Sequence, residues 1–583
     1  MHRRLLFLAA ALASGAPLRA QSPTASEDVT ALADRYVARS MAQFPEGAEL
    51  SGITAAPHDH FTDNSLAALA SWEGFEDSIR AELGRVDAAS LAGTPAWVIY
   101  GYLREVLDAS TGARVCRQEL WPVNQAFGWQ TTLAQVATLQ PVGTPEARAT
   151  ALARWRTIGR FVDTELANLR EGARLGYTAT ASTARVVAGQ LDALLAAPVD
   201  SLPFMDPARR DSTPEFREAW RALVTESLLP AARRYRDYLR ADYLRQARTA
   251  AAVAANRDGA ACYRALLRQA TTVDRDPRTL FREISRKVTR DSTAMIRIAA
   301  HIYPPPRRGP RDARWLRERI EADSSNLIPT AAAVLAFSDS AVRRARAAVP
   351  RWFIDAPDVD VILRPFPDYQ QPTAPGGQYL PPAEDGSRPA VYLYRTYPPV
   401  RRIGLKSTIY HETWPGHHLQ GIIASRRREA HPIIRLVWFA GFGEGWATYS
   451  ERLAEEMGLY QTARDSLGFH AGGLAPLMVA DLGMQVMGWT PERAVEYVTS
   501  HAPNLLRERA AVAVDLIAAL PGYVASYTVG ALEIERLRDS ARKALGPRFD
   551  VREFHRIALE DGAVPLPLFR DKLTRWIAER RRT

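Results

Sequence analysis

One stretch, residues 410–420, constrains the fold of this 583-residue chain more than any other. It reads Tyr-His-Glu-Thr-Trp-Pro-Gly-His-His-Leu-Gln, and residues 405–409 just before it have the pattern that begins a helix. A proline removes a helical hydrogen bond and clashes with the preceding turn, and a neighbouring glycine loosens the backbone. Pro415 and Gly416 therefore predict a bulge or kink that interrupts a helix.

The same stretch contains the residue types of a zinc hydrolase. In H-E-x-x-H sites two imidazoles four residues apart bind the metal, and the Glu takes a proton from the attacking water. His411 and Glu412 fit the start of this pattern, but the fourth position is Pro415. The second ligand is His417 if two residues loop out, which the bulge favours, or His418 if the helix continues undistorted. The alternative is a His-rich helix end whose imidazoles are solvated or act as caps.

A third ligand is expected because catalytic zinc has three protein ligands and one open position. Glu444 lies in the segment Phe-Gly-Glu-Gly-Trp-Ala, where an unpaired carboxylate among apolar neighbours would be costly. A metal would remove that cost, although a carboxylate here could also cap a helix N-terminus. Glu451 lies two turns further on the same predicted helix face, where it could orient an imidazole ligand.

These motifs resemble the bacterial domain of unknown function 885 family, whose members are similar to gluzincin metallopeptidases. The family pattern H-E-x-x-P-G-H-x-x-Q matches residues 411–420, and its E-G-W-A segment matches residues 444–447. The further matches are Ser526, Tyr527, Gly530, Phe554, His555, Gly562, Val564, Pro565 and Leu566. The resemblance covers most of the chain after residue 20 and is strongest from about residue 375 onward.

The resemblance and the residues together predict a zinc-dependent peptidase that acts on a peptide or a small amide. The predicted ligands of one Zn²⁺ per chain are His411, His417 and Glu444. The predicted catalytic residues are Glu412 as general base and Tyr527 as oxyanion donor. The residues predicted to lie beside the metal or the substrate are His418, Gln420 and Glu451. The place of Tyr527 in the family pattern favours it over Tyr523. Where relatives tend to carry D-x-G-x-H before Gly-Trp, this chain has Gln485 in place of the His. If that His binds substrate, specificity differs here.

Two other functions fit the same residues. One is hydrolysis of another amide, such as a cell-wall or small acyl-amide compound. The other is a non-catalytic zinc- or peptide-binding protein of the same fold. Retention of Glu412 argues against the second, because a structural zinc site has no open position and needs no general base.

Residues 1–20 have the features of a secretory signal peptide. Arg3 and Arg4 precede a short apolar run, and Ala20 precedes the expected cut. The run is too short to cross a bilayer, no later stretch approaches spanning length, and no cysteine stands at the cut for a lipid anchor. We therefore expect an exported, periplasmic or secreted protein without a membrane span.

Charge argues against nucleic acid as a partner. The net charge of +10 falls to +7 when residues 1–20, with three arginines and no acid, are removed. The remaining arginines are scattered, often beside acids, instead of forming a basic stripe. The sequence does not indicate an oligomeric state.

The hydrophobic pattern predicts a mainly α fold, with one large zincin-like helical domain over residues 21–583. Its N-terminal part, about 25–350, has apolar residues at three- and four-residue spacing. The predicted helical segments are 28–45, 66–89, 145–173, 213–255, 276–300 and 328–349. The metal-site helices would occupy about 403–583.

Between about 356 and 400 the pattern changes to two short strands, 359–363 and 390–394, separated by Pro- and Gly-rich turns. They predict a small sheet or hairpin beside the metal-binding helix. An exposed edge of that sheet could pair with an extended peptide. The alternative is a hairpin that only covers the core.

Cys116 and Cys262 are the two cysteines of the chain. An isolated pair in an exported protein predicts a disulfide. The alternative is two buried free thiols that behave as small apolar residues. His470, His501 and His555 are lone imidazoles, and we expect each to be structural.

Overall fold

The computed structural model describes residues 24–582 apart from 54, 307, 369, 372, 373, 399 and 428. It is 69% helical with 4% strand, which confirms the mainly α fold. The predicted signal peptide lies outside the described residues, and the single domain over residues 21–583 stays a prediction. Among the described residues, no helix combines the length and apolar character needed to cross a membrane.

The N-terminal part is built from helices that bury apolar faces against one another. The helices are α1 Ala25–Gln43, α2 Pro45–Leu50, α3 Leu66–Leu83, α4 Pro95–Ala113, α5 Trp129–Leu139, α6 Pro145–Trp155, α7 Ile158–Leu175, α8 Ala181–Ala196, α9 Asp206–Arg210, α10 Pro214–Leu223, α11 Leu229–Tyr238, α12 Leu244–Gln246, α13 Gly259–Thr271, α14 Pro277–Ala299, α15 Ala313–Ala322 and α16 Ala331–Ala348. One apolar core lies among α5 to α11, and a second joins α1 and α4 to the C-terminal helices.

The predicted helical segment 213–255 is wrong at its end. Residues 247–252 are not helical, because the backbone of Arg248 bonds across to the segment before α8. The Arg248 N–H donates to the Ala179 carbonyl at 3.2 Å, and the Ala181 N–H donates to the Arg248 carbonyl at 2.8 Å. These bonds hold the chain extended where its alanine content alone favours helix.

The strands form two small sheets. They are β1 Leu327–Ile328, β2 Val361–Pro365, β3 Gly377–Leu380, β4 Ala390–Tyr394 and β5 Val400–Arg401. In the larger sheet, β4 pairs in parallel with β2 and antiparallel with β3, in the order β2-β4-β3. The two predicted strands therefore do not form a hairpin, and the first begins two residues later than predicted. The hairpin partner of β4 is β3, which the sequence analysis assigned to a turn because of its glycines.

The C-terminal part contains helices α17 to α27. They are α17 Leu405–Glu412, α18 His417–Arg426, α19 Ile433–Leu436, α20 Ala440–Glu456, α21 Ala463–His470, α22 Leu474–Val486, α23 Pro491–His501, α24 Arg507–Ala519, α25 Ala525–Leu545, α26 Val551–Leu559 and α27 Leu566–Arg582. Helices α20 and α25 approach closely because Gly441 and Gly445 face Gly530. A Cβ at Gly530 would lie 1.9 Å from the Gly441 carbonyl oxygen, so no side chain fits there.

A disulfide joins Cys116 to Cys262 on α13, with their Cα atoms 4.7 Å apart and a sequence separation of 146. The bond links the segment just after α4 to α13. Because it closes a long loop, it restricts the unfolded chain more than a short-range bond would.

We expect the Cys116→Ala/Cys262→Ala double variant to lose about 2–5 kcal/mol of unfolding free energy, because the unfolded chain regains that freedom. Urea denaturation of the parent and the variant measures this. Peptide mapping of exported protein without reductant should show the two cysteine peptides joined. Two freely alkylated thiols in the folded protein would contradict the disulfide.

Candidate metal centre

The backbone between α17 and α18 is interrupted as the sequence predicts. Helix α17 ends at Glu412 and α18 begins at His417. The Gly416 N–H donates to the Tyr410 carbonyl at 3.0 Å, a span of six residues where a helix has four. A Cβ at Gly416 would lie 1.9 Å from the His411 carbonyl oxygen, so only glycine fits. Two residues are thus looped out, which brings His417 to the position of the second ligand.

Three side-chain atoms converge beside this break. The His411 Nε2 lies 3.4 Å and the His417 Nε2 lies 3.2 Å from the same atom, Oε2 of Glu444. The three candidate ligand atoms all lie within 4.8 Å of one another. The two imidazole rings are almost perpendicular, with centroids 4.8 Å apart.

The residues present fit a zinc ion. With bonds of about 2.0–2.1 Å and tetrahedral angles, two zinc ligands lie about 3.3 Å apart. Both measured separations to Glu444 are close to this value. The Glu444 Oε2 is buried and has no hydrogen-bond partner among the described residues. A cation between the three groups would satisfy that oxygen.

Helix α20 places Glu444 at the centre of the site. The helix begins at Ala440 with Phe439 at its N-cap, so Glu444 lies beyond the first turn and does not cap the helix. Burial alone would raise the pKa of Glu444, but His411 and His417 beside it lower that pKa well below its usual range. The carboxylate is therefore held in its charged form, as a metal ligand must be.

Glu451 orients His411 from behind. Its Oε1 lies 3.0 Å from the His411 Nδ1, and its Oε2 accepts a hydrogen bond from the Ser407 hydroxyl. With Nδ1 engaged by Glu451, Nε2 is the ring nitrogen that faces Glu444 and would bind a metal. This carboxylate–imidazole pairing is the arrangement that fixes the ring of a zinc ligand.

We expect Glu451→Ala to weaken zinc binding by about 10- to 100-fold, because His411 loses the partner that fixes its orientation. Competition with a chromogenic chelator measures the affinity. Glu455→Ala is the matched control, since Glu455 lies one turn further along α20 and contacts His470 at 3.3 Å. Equal zinc affinity in the parent and Glu451→Ala would show that Glu451 has no such role.

His418 points away from the site. Its Nε2 donates to the Val359 carbonyl at 2.8 Å, and its Nδ1 lies 3.2 Å from the Tyr379 hydroxyl on β3. Burial lowers the pKa of His418 to about 4, which keeps the ring neutral. The alternative of an undistorted helix is wrong, and the structure does not bring His418 to the cluster. His418 instead attaches α18 to the sheet.

Glu412 is buried beside the same cluster but is not part of it. Burial raises the pKa of its carboxyl, and the nearby charges of His411 and His417 oppose that rise. The backbone of Tyr379 on β3 also acts against that rise. A Cβ at Gly377 would lie 3.0 Å from the Glu412 Cγ, so the strand can approach this closely only with glycine.

Two tyrosines, one in the turn before α25 and one in its first turn, face the cluster. The Tyr523 hydroxyl donates to Glu444 Oε1 at 2.9 Å, and the Tyr527 ring stacks on His411 with centroids 5.9 Å apart. Burial raises the pKa of both phenols, so both are hydrogen-bond donors at neutral pH. The sequence analysis favoured Tyr527 and underrated Tyr523. Their spacing of four residues is the signal that places both on one side.

These groups open into a cavity of about 1650 Å³. His411, Glu412, His417 and Glu444 line it together with the whole of β3. The buried Gln420 lines it too, and its Nε2 has no hydrogen-bond partner among the described residues. The larger sheet ends at β3, so this strand presents an unpaired edge to the cavity.

Gln485, which stands where relatives tend to carry a further His, bonds the backbone of another segment. Gln485 is buried, and its Oε1 accepts from the Val253 N–H at 2.9 Å. Asp481, one turn earlier, accepts from the Tyr263 hydroxyl at 2.9 Å and from the Gly522 N–H at 3.1 Å. Asp481 thus holds the turn that leads to Tyr523, and Gln485 holds the segment before α13.

The three lone imidazoles make structural contacts, as expected. The His555 Nδ1 donates to the Trp352 carbonyl at 2.9 Å while its Nε2 accepts from the Tyr449 hydroxyl. His501 contacts the carbonyl of Tyr497 at 2.8 Å, and His470 contacts a carboxylate of α20.

The family described as Bacterial protein of unknown function (DUF885) matches residues 45–573, and the chain belongs to this family. No curated protein matches it. A crystal structure of a candidate lipoprotein from Colwellia psychrerythraea is similar, with a TM-score of 0.84 and 22% identity over 95% of this chain and 100% of that one. A candidate lipoprotein of unknown function from Shewanella oneidensis has a TM-score of 0.70 and 16% identity over the same shares. These similarities show the fold.

Proposed function

We propose that this protein is a zinc-dependent metallopeptidase of the gluzincin type. The observation that carries the proposal is the convergence of His411, His417 and Glu444, with Glu412 beside them in the same cavity but outside the ligand set. A binding protein or a structural metal site has no need of that separate buried carboxylate.

His411, His417 and Glu444 would hold one zinc ion, which when bound polarises a carbonyl and acidifies water. Glu412 takes the proton of the attacking water and passes it to the leaving amine. Burial raises its pKa, which makes it a stronger base than an exposed carboxylate. The roles of ligand and base are thus divided between adjacent residues.

Tyr527 is the proposed oxyanion donor. Both tyrosines line the cavity, but the Tyr523 hydroxyl is already engaged by Glu444, whereas Tyr527 stacks on His411. A phenol with a raised pKa keeps its proton and can donate it in a hydrogen bond to the developing negative charge.

The cavity favours a peptide over a small amide compound. Sites for small molecules usually enclose about 300–1,000 Å³, and this cavity is larger. The unpaired edge of β3 offers backbone groups to an extended chain, which gives recognition that does not depend on side chains. The disulfide fits an exported protein that works outside the reducing cytosol.

The test is digestion of a broad peptide library by purified protein, before and after removal of metal by a chelator. We expect cleavage by the metal-loaded protein, loss of cleavage after chelation and its return when one equivalent of zinc is added. Tight zinc binding without any cleavage would contradict the enzyme and favour the peptide-binding alternative.

A pair of conservative variants separates the two tyrosines. We expect Tyr527→Phe to lower kcat by up to about 10²- to 10³-fold, the range for loss of one oxyanion donor, with zinc affinity unchanged. Tyr523→Phe should instead weaken zinc binding, because Glu444 loses its hydrogen bond. Steady-state kinetics and metal titration measure both. A loss of zinc affinity in Tyr527→Phe and a loss of kcat in Tyr523→Phe would mean that Tyr523 is the oxyanion donor.

A further inference from the structure

Two arginines of the cavity have no part in the proposed mechanism. Arg395 directly follows β4, and Arg509 lies in the first turn of α24. Both line the cavity that contains the metal-binding cluster. The Nη2 of Arg509 donates to the Ala374 carbonyl at 2.9 Å, in the segment that leads into β3.

The charge of Arg395 is not neutralised by the part of the chain that the structure describes. No ion pair joins its guanidinium to a carboxylate of those residues, and its buried Nε has no hydrogen-bond partner among them. Burial and the positive charge of Arg509 lower the pKa of Arg395 to about 10. Arg509 holds the segment just before β3, and the residue before Arg395 pairs with the first residue of β3, so both arginines lie at the same end of that strand. Partly buried like charges cost free energy that a bound anion would recover.

Two other arginines of the same cavity are ion-paired. Arg452 lies 3.9 Å from a carboxylate oxygen of Glu535, and Arg435 lies 2.5 Å from one of Glu384. Arg395 thus differs from Arg435 and Arg452, whose charges are balanced by a nearby carboxylate.

The sheet register places Arg395 near the general base. Tyr394, the residue before Arg395, pairs with Gly377 across β4 and β3. Gly377 in turn lies against Glu412, since a Cβ there would come within 3.0 Å of the Glu412 side chain. The two arginines therefore lie toward the end of β3 that is closest to Glu412.

We propose that Arg395 and Arg509 form a subsite for a carboxylate of the peptide substrate, held near the bond that is cleaved. The proposal rests on the peptidase function and adds its substrate class. A planar guanidinium fork binds a carboxylate through two parallel hydrogen bonds, and two such groups create a strong preference for an anion. The carboxylate is either the C-terminus of the peptide or an acidic side chain.

The test uses three peptides of one length on the zinc-loaded protein: a neutral peptide with a free C-terminus, the same peptide with a C-terminal amide, and the amide with one Glu introduced. We expect one carboxylate peptide to exceed the neutral amide by roughly tenfold or more in kcat/KM, mainly through KM. The preferred peptide identifies the source of the carboxylate. Arg395→Gln should remove the preference, and the control Arg452→Gln should retain it.

Equal cleavage of all three peptides by the parent, or an unchanged preference in folded Arg395→Gln, would overturn the subsite and leave the peptidase function standing. Calorimetric binding to zinc-loaded Glu412→Gln makes the test independent of turnover. If no peptide is cleaved but a carboxylate peptide still binds roughly tenfold tighter in an Arg395-dependent way, the peptidase fails and the subsite stands. If binding shows no such difference, the subsite fails as well.

Discussion

Glu412→Gln is expected to abolish most peptide hydrolysis while the protein keeps its fold and its zinc. The amide has the size of the carboxylate but cannot accept a proton at neutral pH, and loss of a general base typically costs about 10²- to 10⁴-fold in rate. The zinc remains because the metal would be held by His411, His417 and Glu444. Single-turnover kinetics on a cleaved peptide, together with elemental analysis, measures both properties.

A matched control for that experiment is Glu508→Gln. Glu508 is an exposed carboxylate that lines the same cavity from α24, away from the cluster, so the same substitution there should leave the rate unchanged. A Glu412→Gln variant that cleaves as fast as the parent would refute proton transfer by Glu412.

His417→Ala and His418→Ala are expected to differ sharply in metal content. His417 would be a direct ligand, so its loss should weaken zinc binding by more than the roughly 100-fold upper range for residues that only orient ligands. His418→Ala should keep the zinc, since its ring bonds Val359 and Tyr379. Elemental analysis after gel filtration gives the metal content of each.

The two variants also differ in stability. His418→Ala leaves the Val359 carbonyl without its buried donor, which should cost about 1–3 kcal/mol of unfolding free energy. Zinc loss in His418→Ala with retention in His417→Ala would mean that the ligand assignment is reversed.

The sequence could predict those parts of the site that depend on neighbouring residues. The break between α17 and α18 follows from Pro415 and Gly416, because their backbone chemistry excludes a continuous helix. The convergence of His411 and His417 on Glu444 follows from that break. The disulfide was one of two open alternatives, and the structure contains it.

The remaining parts depend on contacts between distant segments. Strand β3 has two residues, Gly377 and Gln378, that do not favour strands, and it forms because β4 pairs with it. The parallel pairing of β2 with β4 has no local signal. Likewise, the position of Tyr523 beside Glu444 depends on the close approach of α20 and α25.

The most direct test of the metal centre is an anomalous diffraction measurement at the zinc absorption edge on crystals of the zinc-loaded protein. The account predicts one strong peak within about 2.0–2.2 Å of His411 Nε2, His417 Nε2 and a carboxylate oxygen of Glu444, with Glu412 outside the ligand set. A peak that includes His418 or Glu412 among its ligands, or no peak between these three residues, would contradict it.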